Sequence, residues 1–333
     1  MNQMKPRADL ISLADNKAQI LKLLSELVLQ PRIKAIEWSR ITRQTPNIKI
    51  GYPGQHLASL ISGMMGEHTG ARGNDLVDGS EVKSCSRIDQ LDKCNQCGGG
   101  VARLELLCST CASNDIKRNN DSKWLFTIKS ESDLSTLLHS VKRVILVLGD
   151  YKDFDGKDYE ILRFQAFEIW PKSTRNRRFG EIMSNYYNKI YLAHLAKDAR
   201  KTPAPKNFWP DQYQFYACNP IRTFLCEVTN ASSNPNAKIL EYVEPGTNRE
   251  NIPSIPMPKS ILTAAEIASL VGQASTDQLR RSLPDGATVA AGAGKTQIFE
   301  ALENISEELR NYLPLRETDR ISTATKVYKR RAR

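Results

Sequence analysis

Apolar residues recur three and four apart between residues 8 and 30, with Ile20, Leu23, Leu24, Leu27 and Val28 as the clearest run, which is the spacing of an amphipathic helix. Pro31 has no N–H to continue it and is expected to end it, with a second short helix over 32–43. Residues 45–54 hold Pro46, Gly51, Pro53 and Gly54 and read as a loop, and His56 to Gly66 reads as a compact helix whose Leu57, Leu60, Ile61, Met64 and Met65 pack into a core. Trp124–Ile128, Arg143–Leu148 and Glu160–Trp170 are strand-like, with a helix over Asp133–Val141 between the first two. Arg178–Ala196 returns to helical spacing, and Tyr213–Val228 alternates and reads as strand. Residues 230–260 are rich in Asn, Ser and Pro and read as a linker, and the chain is mostly helical from Ser260 on. This order predicts an α/β fold with one mixed central sheet flanked by helices.

Composition narrows the class. The 333 residues are 40% hydrophobic and 25% charged, as in ordinary globular proteins, and are enough for two domains. A formal net charge of +10 favours a polyanionic partner. The longest apolar run, Val144–Leu148, suits a buried strand and is far short of a bilayer, and the N-terminus lacks the apolar stretch of a signal peptide, so a soluble cytoplasmic protein with no membrane partner is expected.

The chemistry concentrates in Asp75-Leu-Val-Asp78-Gly79-Ser-Glu81-Val82-Lys83. Asp78-Gly79 suits a tight hairpin turn. On a strand, Glu81 and Lys83 point to the same face. Carboxylates converging beside a lysine can hold a hard divalent cation and leave an ammonium near a water on it. A strict hairpin would aim Asp75 away from Glu81, whereas Asp78 sits in the turn, where aspartate is favoured for local reasons, so either can be the second ligand, with Asp75 preferred.

Gly51-Tyr-Pro-Gly54-Gln55-His-Leu-Ala58-Ser-Leu60, followed by Asp75 and Glu81-x-Lys83, resembles the motif region of the PD-(D/E)XK nuclease superfamily, in particular the MutH mismatch-repair nickase. With the cysteine-bearing insert that follows, the chain is most similar to type II restriction endonucleases of the MamI type, over roughly residues 50–130. The resemblance implies a restriction-endonuclease-like core over 51–228, after an N-terminal helical region (1–50). Asp75 and Glu81 would bind Mg²⁺ with the Val82 carbonyl, and Lys83 would polarise the attacking water and stabilise the developing phosphorane charge. It further implies cleavage of double-stranded DNA to 5′-phosphate ends, a homodimer on a palindromic target, and a cognate DNA methyltransferase. The chain departs from the pattern at Asn74, where proline is common, and at Ala58, where MutH-like proteins carry a glutamate.

Within the insert (86–120), Cys94-x2-Cys97 and Cys108-x2-Cys111 stand ten residues apart. Two such knuckles close a tetrahedron of thiolates, the arrangement of structural Zn²⁺ with no position left for water. Cys85, Cys218 and Cys226 read as packing residues. Arg87 and Arg103 suggest a DNA-contacting finger, the plainer alternative being a scaffold.

Further DNA-contact candidates are Lys172, Arg175, Arg177 and Arg178 in a basic loop after a core strand. Asn207-Phe-Trp209 mixes an amide that can read base edges with aromatics. Residues 264–283 suggest a helix–turn–helix, with Ser275-Thr276-Asp277 capping a second helix that carries Gln278, Arg280 and Arg281. After a linker or long loop (229–259), residues 260–333 form a helical DNA-binding or dimerisation region with a basic tail. Gly292-Ala-Gly-Lys-Thr296 lacks the leading glycine of a phosphate loop, because Val289 stands there. The sequence therefore points to a Mg²⁺-dependent type II endonuclease. A MutH-like nickase and a non-cutting zinc-ribbon regulator are the alternatives.

Overall fold

The computed structural model describes residues 16–67, 74–119, 121–153, 159–317 and 319. The basic tail at 326–333 and the first fifteen residues lie outside them.

Five strands form the central sheet: β1 (Glu81–Ser86), β6 (Val144–Tyr151), β7 (Leu162–Ile169), β9 (Ile221–Thr229) and β10 (Asn236–Tyr242), side by side in that order. β1 is an edge strand parallel to β6, and the other pairings are antiparallel. Between β1 and β6 the chain forms a small three-stranded unit, β2 (Asp92–Cys94), β3 (Gly100–Val101) and β4 (Ile116–Lys117), and then β5 (Trp124–Phe126). β5 pairs antiparallel with the distant β8 (Lys206–Phe208) to make a separate ribbon.

The helices cover both faces. On one side α1 (Asn16–Leu24) runs through a π-helical turn (Ser25–Leu29) into α2 (Gln30–Thr42), and α3 (Gly51–Ser62) lies against β1. On the other lie α4 (Glu131–Ser135), α5 (Arg177–Asn185), α6 (Leu192–Lys197) and α7 (Tyr213–Ala217). They are followed by α8 (Ala264–Gln273), α9 (Thr276–Arg281), α10 (Lys295–Glu300) and α11 (Glu307–Arg310), and a short pair of β11 (Met257–Pro258) with β12 (Asn304–Ile305). β6 shows why the sheet is buried between the layers. Its Val144, Leu146 and Leu148 join the core under β5, α5 and the C-terminal helices. Its Ile145 and Val147 join the core under α1 and α3. Every position of β6 is buried, the charged Asp150 included, so the strand has no solvent face.

Several elements depart from the sequence expectation. Pro31 does not end the first helix: it sits in the first turn of α2, just after the π-helical turn, where the Gln30 N–H reaches Ser25 and a missing donor costs little. α3 begins at Gly51 within the expected loop, because Pro53 falls in a first turn whose N–H groups need no intrahelical partner. Residues 213–217 are helix rather than strand. The stretch 229–259, expected as linker, contains β10, the far edge of the central sheet. Among the described residues, no helix is long and apolar enough to cross a membrane.

Candidate active site and metal centre

Glu81, Val82 and Lys83 open β1. Val82 packs inward with Ile145 and Val147, so the side chains either side of it turn to the opposite face. There the Lys83 ammonium donates to the Glu81 carboxylate. Both are part-exposed, at 28% and 20%. Burial pushes the Glu81 carboxyl above its ordinary range, Lys83 pulls against it, and the negative charge of Asp75 adds to the rise. Glu81 and Asp75 are therefore near enough for their charges to oppose each other, a conflict that a shared cation would relieve.

The expected hairpin is absent. Asp75 lies on a bend before β1, and Gly79, at φ 85°, turns the chain so that Glu81 N–H donates to Arg143 O and the strand pairs with β6 instead. The bend brings Asp75 back beside β1: its Oδ2 accepts from the Val82 N–H at 2.7 Å and its Oδ1 from Gln55 Nε2 at 2.8 Å. Gln55, on α3, was not singled out from sequence. It lies three residues, about one helical turn, before Ala58, where the helper carboxylate was sought. α3 can approach so closely because Gly54 faces β1: a Cβ there would stand 2.0 Å from Ser84 Oγ.

Asp78 is drawn the other way. Its carboxylate is fully buried, accepts from Arg143 at 3.2 Å and lies 3.7 Å from Lys142. Its Oδ1 takes the Ser80 N–H. It is committed to the turn, which corrects its reading as a possible metal ligand. Arg143 also donates to Ser80 Oγ and to Glu168, which receives Arg249 and the Trp170 indole as well. Burial alone would raise the Glu168 carboxyl, but the two guanidiniums outweigh it and hold it below the ordinary range. Its lowered pKa means the network contributes stability above the unfolded carboxylate range and loses it as pH falls through the folded value. Removing one partner would strand buried charge. Arg143→Leu is therefore expected to cost about 3–5 kcal/mol in urea unfolding, and Arg143→Lys less.

Two clefts meet at Lys83. One is lined by Tyr52, Gln55, Val82 and Ser84. The other, about 370 Å³, is lined by Glu81, Phe126, Thr127, Asp133 and Leu137. The carboxylates and the ammonium thus stand at the open edge of the sheet.

The four cysteines of the insert do converge. Their sulfurs all lie within 4.8 Å of one another, with Cys94–Cys111 at 3.6 Å and Cys97–Cys108 at 3.5 Å. Zn–S bonds of about 2.3 Å would set tetrahedral sulfurs roughly 3.8 Å apart, so the set fits Zn²⁺. Each knuckle also aims backbone N–H groups at its first sulfur: those of Thr110 and Cys111 hold the Cys108 thiol down to about 6, and those of Cys97 and Gln96 lower Cys94. The unit is tied together by Asp92, fully buried, which takes Arg103, Arg118 and the Asn119 N–H. Arg103 and Arg118 also lie over the rings of Tyr151 and Tyr159. Cys85, Cys218 and Cys226 are buried in the core.

Most of the other expected DNA contacts are engaged elsewhere. Arg87 is buried and donates to Asp211 and to Pro210 O, and Arg103 is buried on Asp92, so neither side chain faces solvent. Arg175 holds the carbonyls of Arg249 and Ile252 and pairs with Glu307. Arg177 and Arg178 hold Glu181 and the segment around Asn311. Gln278 and Arg281 bind Glu308, and Arg280 caps Ala290 and Ala291. The expected helix pair is present, with Ser275 capping the second helix, but its polar face is spent on α11. These arginines read as charged sequence, yet they act as struts. Lys172 alone of the basic loop is exposed with no partner among the described residues.

Residues 37–260 match the family described as MamI restriction endonuclease. A 56-residue stretch is 39% identical to the type II restriction enzyme MamI of Microbacterium ammoniaphilum, covering 17% of this chain and 18% of that relative. No solved structure matches. Because the family match spans most of the chain and includes both the Asp75–Lys83 segment and the four-cysteine unit, the protein belongs to the MamI restriction endonuclease family.

Proposed function

We propose that this protein is a type II site-specific endonuclease that hydrolyses phosphodiester bonds of double-stranded DNA with Mg²⁺, leaving 5′-phosphates. The observation that carries the reading is the Glu81–Lys83 pair on an edge strand, with the Asp75 carboxylate folded back against Val82. Asp75 and Glu81, with the Val82 carbonyl, would hold Mg²⁺, which when bound supplies positive charge to the scissile phosphate and acidifies a water. Gln55 and the Val82 N–H each donate to one oxygen of Asp75 and fix the carboxylate beside β1. Lys83 orients the attacking water and stabilises the negative charge that builds on the phosphorane. The four cysteines hold a structural Zn²⁺ and supply no catalytic position.

The protein acts in the cytoplasm as a homodimer on a palindromic site, its two-fold axis matching that of the target, alongside a methyltransferase that protects host DNA. The test is digestion of supercoiled plasmid by the purified protein with Mg²⁺, followed by sequencing of the ends. Linear product with one recurrent, symmetric end sequence and 5′-phosphates is expected. Open circles alone would favour a nickase, and untouched plasmid a non-cutting DNA binder.

A further inference from the structure

Most of the arginines expected to touch DNA are engaged by other groups of the fold, Arg87 and Arg103 in its interior and Arg177 and Arg281 in exposed ion pairs, which leaves the question of what reads the bases. The β5–β8 ribbon lies beside the catalytic cleft. Phe126 and Thr127, at the end of β5, line that cleft with Glu81 and Lys83. The ribbon is held rigidly: Trp124, Phe126 and Phe208 are buried in one aromatic cluster, and the Trp124 indole donates to Val147 O of β6 at 3.0 Å. Its other face is open. Leu125, directly opposite Asn207 in the register, is 44% exposed. Asn207 makes no side-chain hydrogen bond among the described residues. By strand alternation Lys123 and Thr127 share the face of Leu125, and Trp209 shares that of Asn207. The Lys123 ammonium lies 4.4 Å from the Trp209 ring centre and 3.2 Å from Asp121, a part-exposed pair. Beyond the ribbon the surface continues into a cleft of about 560 Å³ lined by Lys123, Asn207 and Trp209, with Asp121, Glu317 and Asp319 also on its wall.

An exposed leucine opposite an unengaged amide, flanked by a lysine on an aromatic ring, has no evident use in the fold. It does have the three chemistries of duplex recognition: an apolar contact for a thymine methyl, an amide for a base edge, and a cation for a phosphate. A two-stranded ribbon also fits the width of the major groove. We propose that the outward face of the β5–β8 ribbon reads base pairs next to the scissile phosphate, with Asn207 as the hydrogen-bonding reader, Leu125 as the apolar contact and Lys123 on the backbone. The proposal rests on the endonuclease reading and specifies where its sequence selectivity resides.

The experiment uses the full chain. Cleavage sites of wild type and Asn207→Ala are mapped on the same library, and DNA binding without Mg²⁺ is measured by anisotropy across salt concentrations for wild type, Asn207→Ala and Lys123→Ala. Thermal melting of each variant confirms folding. Asn207→Ala is expected to lose discrimination at one base-pair position by roughly ten- to a hundred-fold while other positions hold. Lys123→Ala is expected to weaken binding to all sequences alike and to lower the salt slope by about one. If folded Asn207→Ala cuts the same sites at the same relative rates as wild type, or folded Lys123→Ala keeps the wild-type salt slope, the ribbon is not the reader, although the endonuclease reading stands. A wild-type protein that neither binds nor cuts duplex DNA overturns both.

Discussion

Lys83→Ala is expected to bind target DNA as wild type does and to cut it at least about 10²–10³-fold more slowly, the usual loss when one preorganised charge at a developing oxyanion is removed. The side chain is part-exposed on an edge strand, borders two open clefts, and among the described residues hydrogen-bonds Glu81 alone. Folding should be nearly unaffected. Removing Lys83 also removes the positive charge that holds the Glu81 carboxyl down. Glu81 should then protonate more readily, and the residual activity should move to higher pH. Glu81→Ala removes a carboxylate instead and should lose cleavage together with the dependence on low Mg²⁺ concentrations. The readouts are single-turnover cleavage rates against Mg²⁺ and pH, with anisotropy for binding. If both variants cut at the wild-type rate, the chemistry is not at this edge of the sheet.

The central part of this site was legible because its meaning is local. Two residues of spacing on a strand suffice to put Glu81 and Lys83 on one face, whatever the strand pairs with. The partner was less legible. Local turn chemistry at Asp78-Gly79 suggests a hairpin, but β6, more than sixty residues on and buried at every position, offers β1 more burial than the preceding segment does. Asp75 is then placed by a bend and by two hydrogen-bond donors, one of them on α3, and neither contact leaves a period in the sequence. The same holds for β10. It is the outer edge of the sheet, with Asn236, Lys238 and Leu240 facing solvent and a register shift between Ile239 and Glu241, so its composition reads as loop. The arginines misled for a different reason. Charge is visible in sequence, but burial is not, and Arg87 and Arg103 are charged residues of the interior.

Removing zinc should have the largest effect on folding of any single change. The small three-stranded unit has little apolar core of its own: apart from the sulfurs, the cluster at its centre is Val101, with Ile116 partly buried. Binding of structural Zn²⁺ by four thiolates is worth about 10–16 kcal/mol in isolated units, and here that energy would hold β2, β3 and β4 together. One zinc per chain is expected by elemental analysis, without the visible absorbance of an iron–sulfur cluster. Chelation, or Cys108→Ser, should release the metal, make the remaining insert cysteines reactive towards a thiol reagent and lower the melting temperature. Cys85, Cys218 and Cys226 should stay protected, since they belong to the separate core. The consequence should reach the active site by a definite route. Asp92 loses its anchorage on Arg103 and Arg118, and the segment that continues β1 past Ser86 is left pinned by Arg32 on Asp89 at 2.7 Å. That buried pair should keep β1 in the sheet, so metal-free protein should retain much of its DNA affinity and some cleavage, whereas Lys83→Ala keeps the zinc and loses the chemistry. A metal-free protein with unchanged melting and unreactive insert cysteines would mean that the four sulfurs are gathered for packing alone.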